Sequence, residues 1–178
     1  MSNNVYKQLM FQTLRAGKQG NGTLLQVSLT RNGSLMFHMA QQNGINQNGL
    51  PTFDHQNASK FSFSNIESAS IVNFIENAMQ GELKKISFMH RNARTPKDIV
   101  FESSIYNNMI QFKISVFHKL QQDQRVFNLY LSIDEMEVIK ENLKSSYNVY
   151  QKANAILALM NILPMREGAN GNYQNYSD

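Results

Sequence analysis

The sequence has no cysteine. That excludes a disulfide framework, a thiolate metal centre and a cysteine nucleophile, and it suits a reducing compartment. No apolar run is long. The best of them, Ala155 to Leu163, has nine residues, against about 20 for a membrane-spanning helix. The opening stretch MSNNVYKQ is polar, with no apolar segment behind it, so no secretory leader is expected. Together these features predict a soluble, cytoplasmic protein. Catalytic signatures are missing too: there is no Walker loop, no Gly-x-Ser-x-Gly and no Asp-x-Asp cluster. Glu102 is the only acid expected inside a strand, so the converging carboxylates of a two-metal nuclease are not in prospect. His38, His55, His90 and His118 are scattered without metal-ligand spacing. The expectation is a protein with no metal, no cofactor and no enzymatic activity.

What is present is a globular composition. The 178 residues are 42% hydrophobic and 17% charged, enough for one domain with a real core or two small fused halves. The net charge of +4 is unevenly spread. Residues 1–64 and 82–131 hold 13 Lys and Arg against 5 Asp and Glu. The two segments with helical periodicity, 65–81 and 132–152, hold 3 against 6. The positive charge therefore lies on the strands and loops, which points to a polyanionic partner.

The chain repeats itself. KFSFSNIESASIVNFIENAM (Lys60 to Met79) and FNLYLSIDEMEVIKENLKSSY (Phe127 to Tyr147) each read as a strand, a serine, a glutamate three positions later and an amphipathic helix. Ser64 with Glu67, and Ser132 with Glu135, have the spacing of a capping box. The offset of 68 also aligns Ile71 with Ile139, Ile75 with Leu143 and Met79 with Tyr147, a stripe recurring every four residues. Backwards it aligns Phe61 with Leu129 and Phe63 with Leu131, the inward positions of a strand.

Upstream of each unit lie further strand patterns. The first half holds VYKQLMFQTLRAG, TLLQVSLTR and SLMFHMA, then a long loop from Gln41 to Ser59 before the fourth strand. The second holds KKISFMHRN, DIVFESSIY, MIQFKISVFHKL and RVFNLYL. Asn32-Gly33, Asn107-Asn108 and Gln122-Asp123 are placed to make the turns. The fold class is α+β: two tandem ββββα units, each an antiparallel four-stranded sheet on one helix. We expect a single domain over 1–165, with pseudo-repeats 5–81 and 82–152 and a helical extension over 153–164. Residues 166–178 have no periodicity and are expected to form a flexible tail.

A sheet with one helix on it hides only one face. In the long strand of the second half, Ile110, Phe112, Ile114 and Val116 alternate with Gln111, Lys113, Ser115, Phe117 and Lys119. The second set forms a basic open face carrying a ring. Single strands are held by cations that track phosphates and by rings that stack bases, each worth ~1–3 kcal/mol. The basic candidates are Arg15, Lys18 and Arg31 in the first half, and Arg91, Arg94, Lys113, Lys119 and Arg125 in the second. The stacking candidates are Phe117, Tyr130 and Tyr106. In the first strand, Leu9, Met10 and Phe11 are consecutive, so its facing stays open.

Two tandem ββββα units followed by an apolar helical extension resemble the Whirly fold, over about residues 5–163. PUR repeats and several phage single-stranded-DNA-binding proteins are similar. The Lys-Gly-Lys-containing motif of plant Whirly proteins is absent, so no residue role is carried over from it. The resemblance implies binding of single-stranded nucleic acid with little sequence preference, by oligomers held partly by the helical extension. The expected ligand is single-stranded DNA, in replication, recombination or repair, bound by a homo-oligomer. RNA in place of DNA, or a structural and assembly role, are the alternatives.

Overall fold

A computed structural model describes residues 8–17, 22–30, 34–91, 96–119 and 124–146. The first half comprises β1 (Gln8–Arg15), β2 (Thr23–Leu29), β3 (Leu35–Ile45), β4 (Pro51–Phe53), β5 (Ser59–Ser62) and α1 (Asn65–Met79). The second comprises β6 (Lys85–His90), β7 (Lys97–Tyr106), β8 (Met109–Lys119) and β9 (Gln124–Leu131). A second helix, α2, follows and is described over 133–146. All pairings are antiparallel. One sheet runs β1-β2-β3-β5, with β4 on the far end of β3; the other runs β6-β7-β8-β9.

Both capping boxes form. Ser64 Oγ accepts from Glu67 N at 3.3 Å, and Glu67 Oε2 accepts from Ser64 N at 2.8 Å. The second box repeats these distances between Ser132 and Glu135. Two orphan amides are thus satisfied at each helix start, which fixes where strand becomes helix. Asn107 and Asn108 have φ of 50° and 61°, the left-handed pair a tight hairpin requires.

The expected loop from Gln41 to Ser59 needs correction. β3 continues to Ile45 and turns back into β4, so half of that loop is a hairpin. Gln, Asn and Gly have poor strand propensity, and pairing overrides it here. The first strand is settled by an irregularity: Leu9 lies opposite Ser28, yet Phe11 lies opposite Val27. The bulge at Met10 accommodates three consecutive apolar residues and turns Phe11 toward the core. The Asn32-Gly33 and Gln122-Asp123 turns, the extension over 153–164 and the tail over 166–178 lie outside the described residues, as do Lys18, Arg31 and Arg94.

The two halves share one core. Each helix does more than cover its own sheet. Phe74 of α1 packs edge-on against Phe101 of β7 and Phe112 of β8, with ring centroids 6.3 and 5.9 Å apart. Phe63, just ahead of α1, meets Phe88 and Phe101 at 5.3 and 5.8 Å. So the first helix carries its rings onto the second sheet. The second helix returns the exchange, since Glu135 receives hydrogen bonds from Thr13 and Arg15 of β1. Met136, Ile139 and Leu143 of α2 are buried in the same cluster as Leu25, Val27 and Phe37. Each buried apolar side chain contributes about 1.5–3 kcal/mol. The inner faces of both sheets are committed to this core.

Candidate nucleic-acid interface

The pairing register sets out the outer face of the second sheet row by row. Lys85, Glu102, Lys113 and Tyr130 lie side by side across the four strands. The next row is Ser87, Val100, Ser115 and Asn128, and the next is Met89, Asp98, Phe117 and Val126. Alternation extends the face to Arg91 at one end and Lys119 at the other strand's end. The predicted facing of β8 is therefore observed: Phe112, Ile114 and Val116 are buried, while Lys113 and Phe117 are half-buried among their cross-strand neighbours.

Local contacts organise this face. The Lys113 ammonium sits over the Tyr130 ring, 5.6 Å from its centroid. That cation–π contact holds a positive charge and a stacking surface together. Ser115 Oγ donates to Asn128 Oδ1 at 2.8 Å, tying β8 to β9 in the middle row. Arg91 lies along Met89, its Nη2 3.2 Å from the sulfur. Lys119 pairs with Asp98 at 3.3 Å, which leaves that end of the face less positive than its lysine suggests. Four cations, Lys85, Arg91, Lys113 and Lys119, thus stand against two carboxylates, Asp98 and Glu102. In the first sheet the row matching Lys113 and Tyr130 is Leu9, Ser28, Met36 and Ser62, without a charge, and the next is Gln12, Gln26, His38 and Lys60, with a single lysine.

Two candidates do not join this face. Arg15 pairs with Thr23, on the side of β1 that carries Phe11 and Thr13, and it bonds to Glu135. Burial pushes the Glu135 carboxyl up, but hydrogen bonds from Thr13, Ser132 and Arg15 outweigh it and hold the group below its ordinary range. Arg125 pairs with His118 on the inner side of β9 and reaches back to the first half. It lies 3.8 Å from Asp54 Oδ2 and donates to the Asn57 carbonyl at 3.4 Å. Both arginines fasten the halves together. Lys113, Phe117, Lys119, Tyr130 and Arg91 do come together.

Sequence reasoning missed Lys85. The signal was available, because Ile86 and Phe88 point inward and Lys85 alternates with them. It also missed Met109 beside Tyr106. That ring, Tyr130 and Met109 are 61%, 47% and 68% exposed around the β7–β8 turn. They open onto a crevice of about 480 Å³ that reaches the start of α2.

Four of the acidic side chains serve the structure. Glu67 and Glu135 close capping boxes, Asp54 binds Arg125 and Glu76 binds Lys144. Among the described residues, no helix is long and apolar enough to cross a membrane.

Comparison with known proteins agrees with this architecture. A search of curated proteins finds no match. Among solved structures, WHY1 from Arabidopsis thaliana aligns with a TM-score of 0.62 at 13% identity, covering 97% of this chain and 98% of that one. A guide-RNA-binding protein complex bound to a gRNA aligns at 0.58 and 12% identity, covering 83% and 94%. The plant transcriptional regulator PBF-2 aligns at 0.55 and 15%, covering 90% of each chain. At these identities the likeness is one of fold. The family model for the Whirly transcription factor matches residues 11–142, and the chain belongs to the Whirly family.

Proposed function

We propose that this protein binds single-stranded DNA, with little sequence preference, on the outer face of the second sheet. The observation that carries the reading is the row holding Lys113 over Tyr130, with Phe117 two rows, or four residues, further along the same strand face. Rings beside cations, with few groups fixed to read base edges, suit a strand held by its backbone and by stacking. Membership of the Whirly family supports the same ligand class. The role is binding rather than catalysis, in a cytoplasmic homo-oligomer. It serves processes that expose unpaired DNA, replication, recombination or repair among them; the family description adds transcription.

RNA is the second reading, favoured by the fold's likeness to a guide-RNA-binding complex. The 2′-hydroxyl separates the two. A labelled single-stranded oligonucleotide is titrated by fluorescence anisotropy, then competed with the same sequence as RNA and with a duplex of equal length. Weak competition by both supports the proposal. Competition by RNA as effective as DNA moves the ligand to single strands in general, and an equally effective duplex contradicts the single-strand reading.

A further inference from the structure

The duplication gives each half a crevice between the start of its third long strand and the start of its helix. In the first half it is bordered by Ser34 and Leu35 of the β3 start and by Ser64 and Asn65 of the α1 cap. Its volume is about 270 Å³, and Ser68 and Ser146 add further hydroxyls. In the second half the matching crevice lies between Asn108–Met109 and Ser132–Ile133 and measures about 480 Å³. The two have diverged. The first is lined by serines; the second has acquired Tyr106, Tyr130 and Met109. A volume within the ~300–1,000 Å³ typical of small-ligand sites, walled by exposed rings, is more than a flat sheet needs.

The charges say what enters. Arg15 lines this crevice, but Glu135 already neutralises it. The other charged lining residue is Asp134, exposed on the first turn of α2. A phosphate entering here meets a carboxylate and no unengaged cation. A neutral base meets rings on its faces and, at its edge, the Asp134 carboxylate, which can only accept, beside the Asn108 and Gln111 carboxamides, which accept or donate. Tyr130 belongs both to this crevice and to the Lys113 pair, so a strand whose phosphate rests at Lys113 has a base within reach.

We infer that this crevice takes one unstacked base of the bound strand, and that it favours a base with an exocyclic amine. The inference rests on the single-strand reading above. Cytosine and thymine test it, because both are pyrimidines and only cytosine carries an exocyclic amine, thymine having a carbonyl at position 4 and a 5-methyl group instead. Equal-length dC and dT oligonucleotides are titrated at neutral pH against the full chain, its Asp134→Ala variant and its Tyr106→Ala variant. The expected result is a preference for dC of about five- to tenfold, the worth of one solvent-weakened hydrogen bond, about 1 kcal/mol. Asp134→Ala abolishes that preference, and Tyr106→Ala weakens both ligands severalfold. Equal binding of dC and dT by the wild type, or a preference that survives Asp134→Ala, overturns the inference and leaves single-strand binding intact. Binding of neither oligonucleotide overturns the single-strand reading itself, and the base site with it.

Discussion

Glu76 Oε1 accepts a hydrogen bond from Lys144 Nζ at 2.7 Å, and the two residues are 68 positions apart. That is also the spacing of the capping serines 64 and 132, so residues at equivalent places in the two halves touch each other. Such a contact arises where an approximate two-fold axis passes between the pair. Glu76 of α1 and Lys144 of α2 meet beside that axis. Glu67, which lies 3.1 Å from His90 of β6, and Glu135, which bonds to β1, are the paired clasps on either side.

The Glu76–Lys144 contact gives the first prediction. Carbodiimide coupling should join these two side chains by an amide, found as one cross-linked peptide pair with loss of a water. Both groups are exposed, so Lys144→Ala should scarcely change the melting temperature. Absence of the cross-link alongside other couplings would speak against the axis.

Phe74 tests the sharing of the core. It leaves the first half to pack on Phe101 and Phe112 of the second. Phe74→Ala should cost about 3–5 kcal/mol, as buried rings do. Unfolding should remain a single transition by circular dichroism and by intrinsic tyrosine fluorescence. Two separated transitions in the wild type would show halves with independent cores.

The capping boxes predict a matched pair of effects. Ser64→Ala and Ser132→Ala each remove one acceptor for a helix amide, and each should cost about 1 kcal/mol in denaturant titration. Glu135→Ala should cost more than Glu67→Ala. Glu135 receives bonds from both Thr13 and Arg15 besides its own cap, whereas Glu67 has His90 and its cap.

Much of this was readable beforehand, and the reasons differ by element. The two Ser-x-x-Glu boxes and the alternation of β8 are local, so a single stretch of sequence contains the whole signal. Arg15 and Arg125 lie off the outer face, and this was not readable because their facing depends on partners distant in the chain. The Met10 bulge decides which side Arg15 takes, and consecutive apolar residues conceal it. The β4 hairpin was hidden because its glutamines, asparagines and glycine acquire strand structure only by pairing. That the helices carry side chains onto the opposite half follows from tertiary packing, which no periodicity encodes.

His118 gives the pH prediction. It is buried at the end of β8, and neither ring nitrogen has a hydrogen-bond partner among the described residues. Burial, then the charges of Lys97 and Arg125, lowers its pKa below the ordinary imidazole value. The unfolded chain takes up this proton more readily than the folded one. Stability from this site is therefore full above about pH 6.5 and falls as the pH drops below it. Glu135 adds a second loss at lower pH, because its folded pKa is also depressed and protonation there undoes its bonds. His118→Leu should flatten the slope below pH 6.5 while leaving the steeper acid limb. A slope unchanged by that substitution would remove His118 from the account.

The most direct test is of the open sheet face itself. The affinity of a labelled dT oligonucleotide is measured by fluorescence anisotropy over a salt series, for the wild type and for the Lys113→Ala, Phe117→Ala double variant. The account predicts a log–log salt slope of about −2 to −3, from three or four phosphates neutralised on this face. It also predicts affinity at least about tenfold weaker in the double variant, from one lost stack and one lost charge, with a slope shallower by nearly one. Equal affinity and equal slope in the two proteins would place the strand somewhere other than the second sheet.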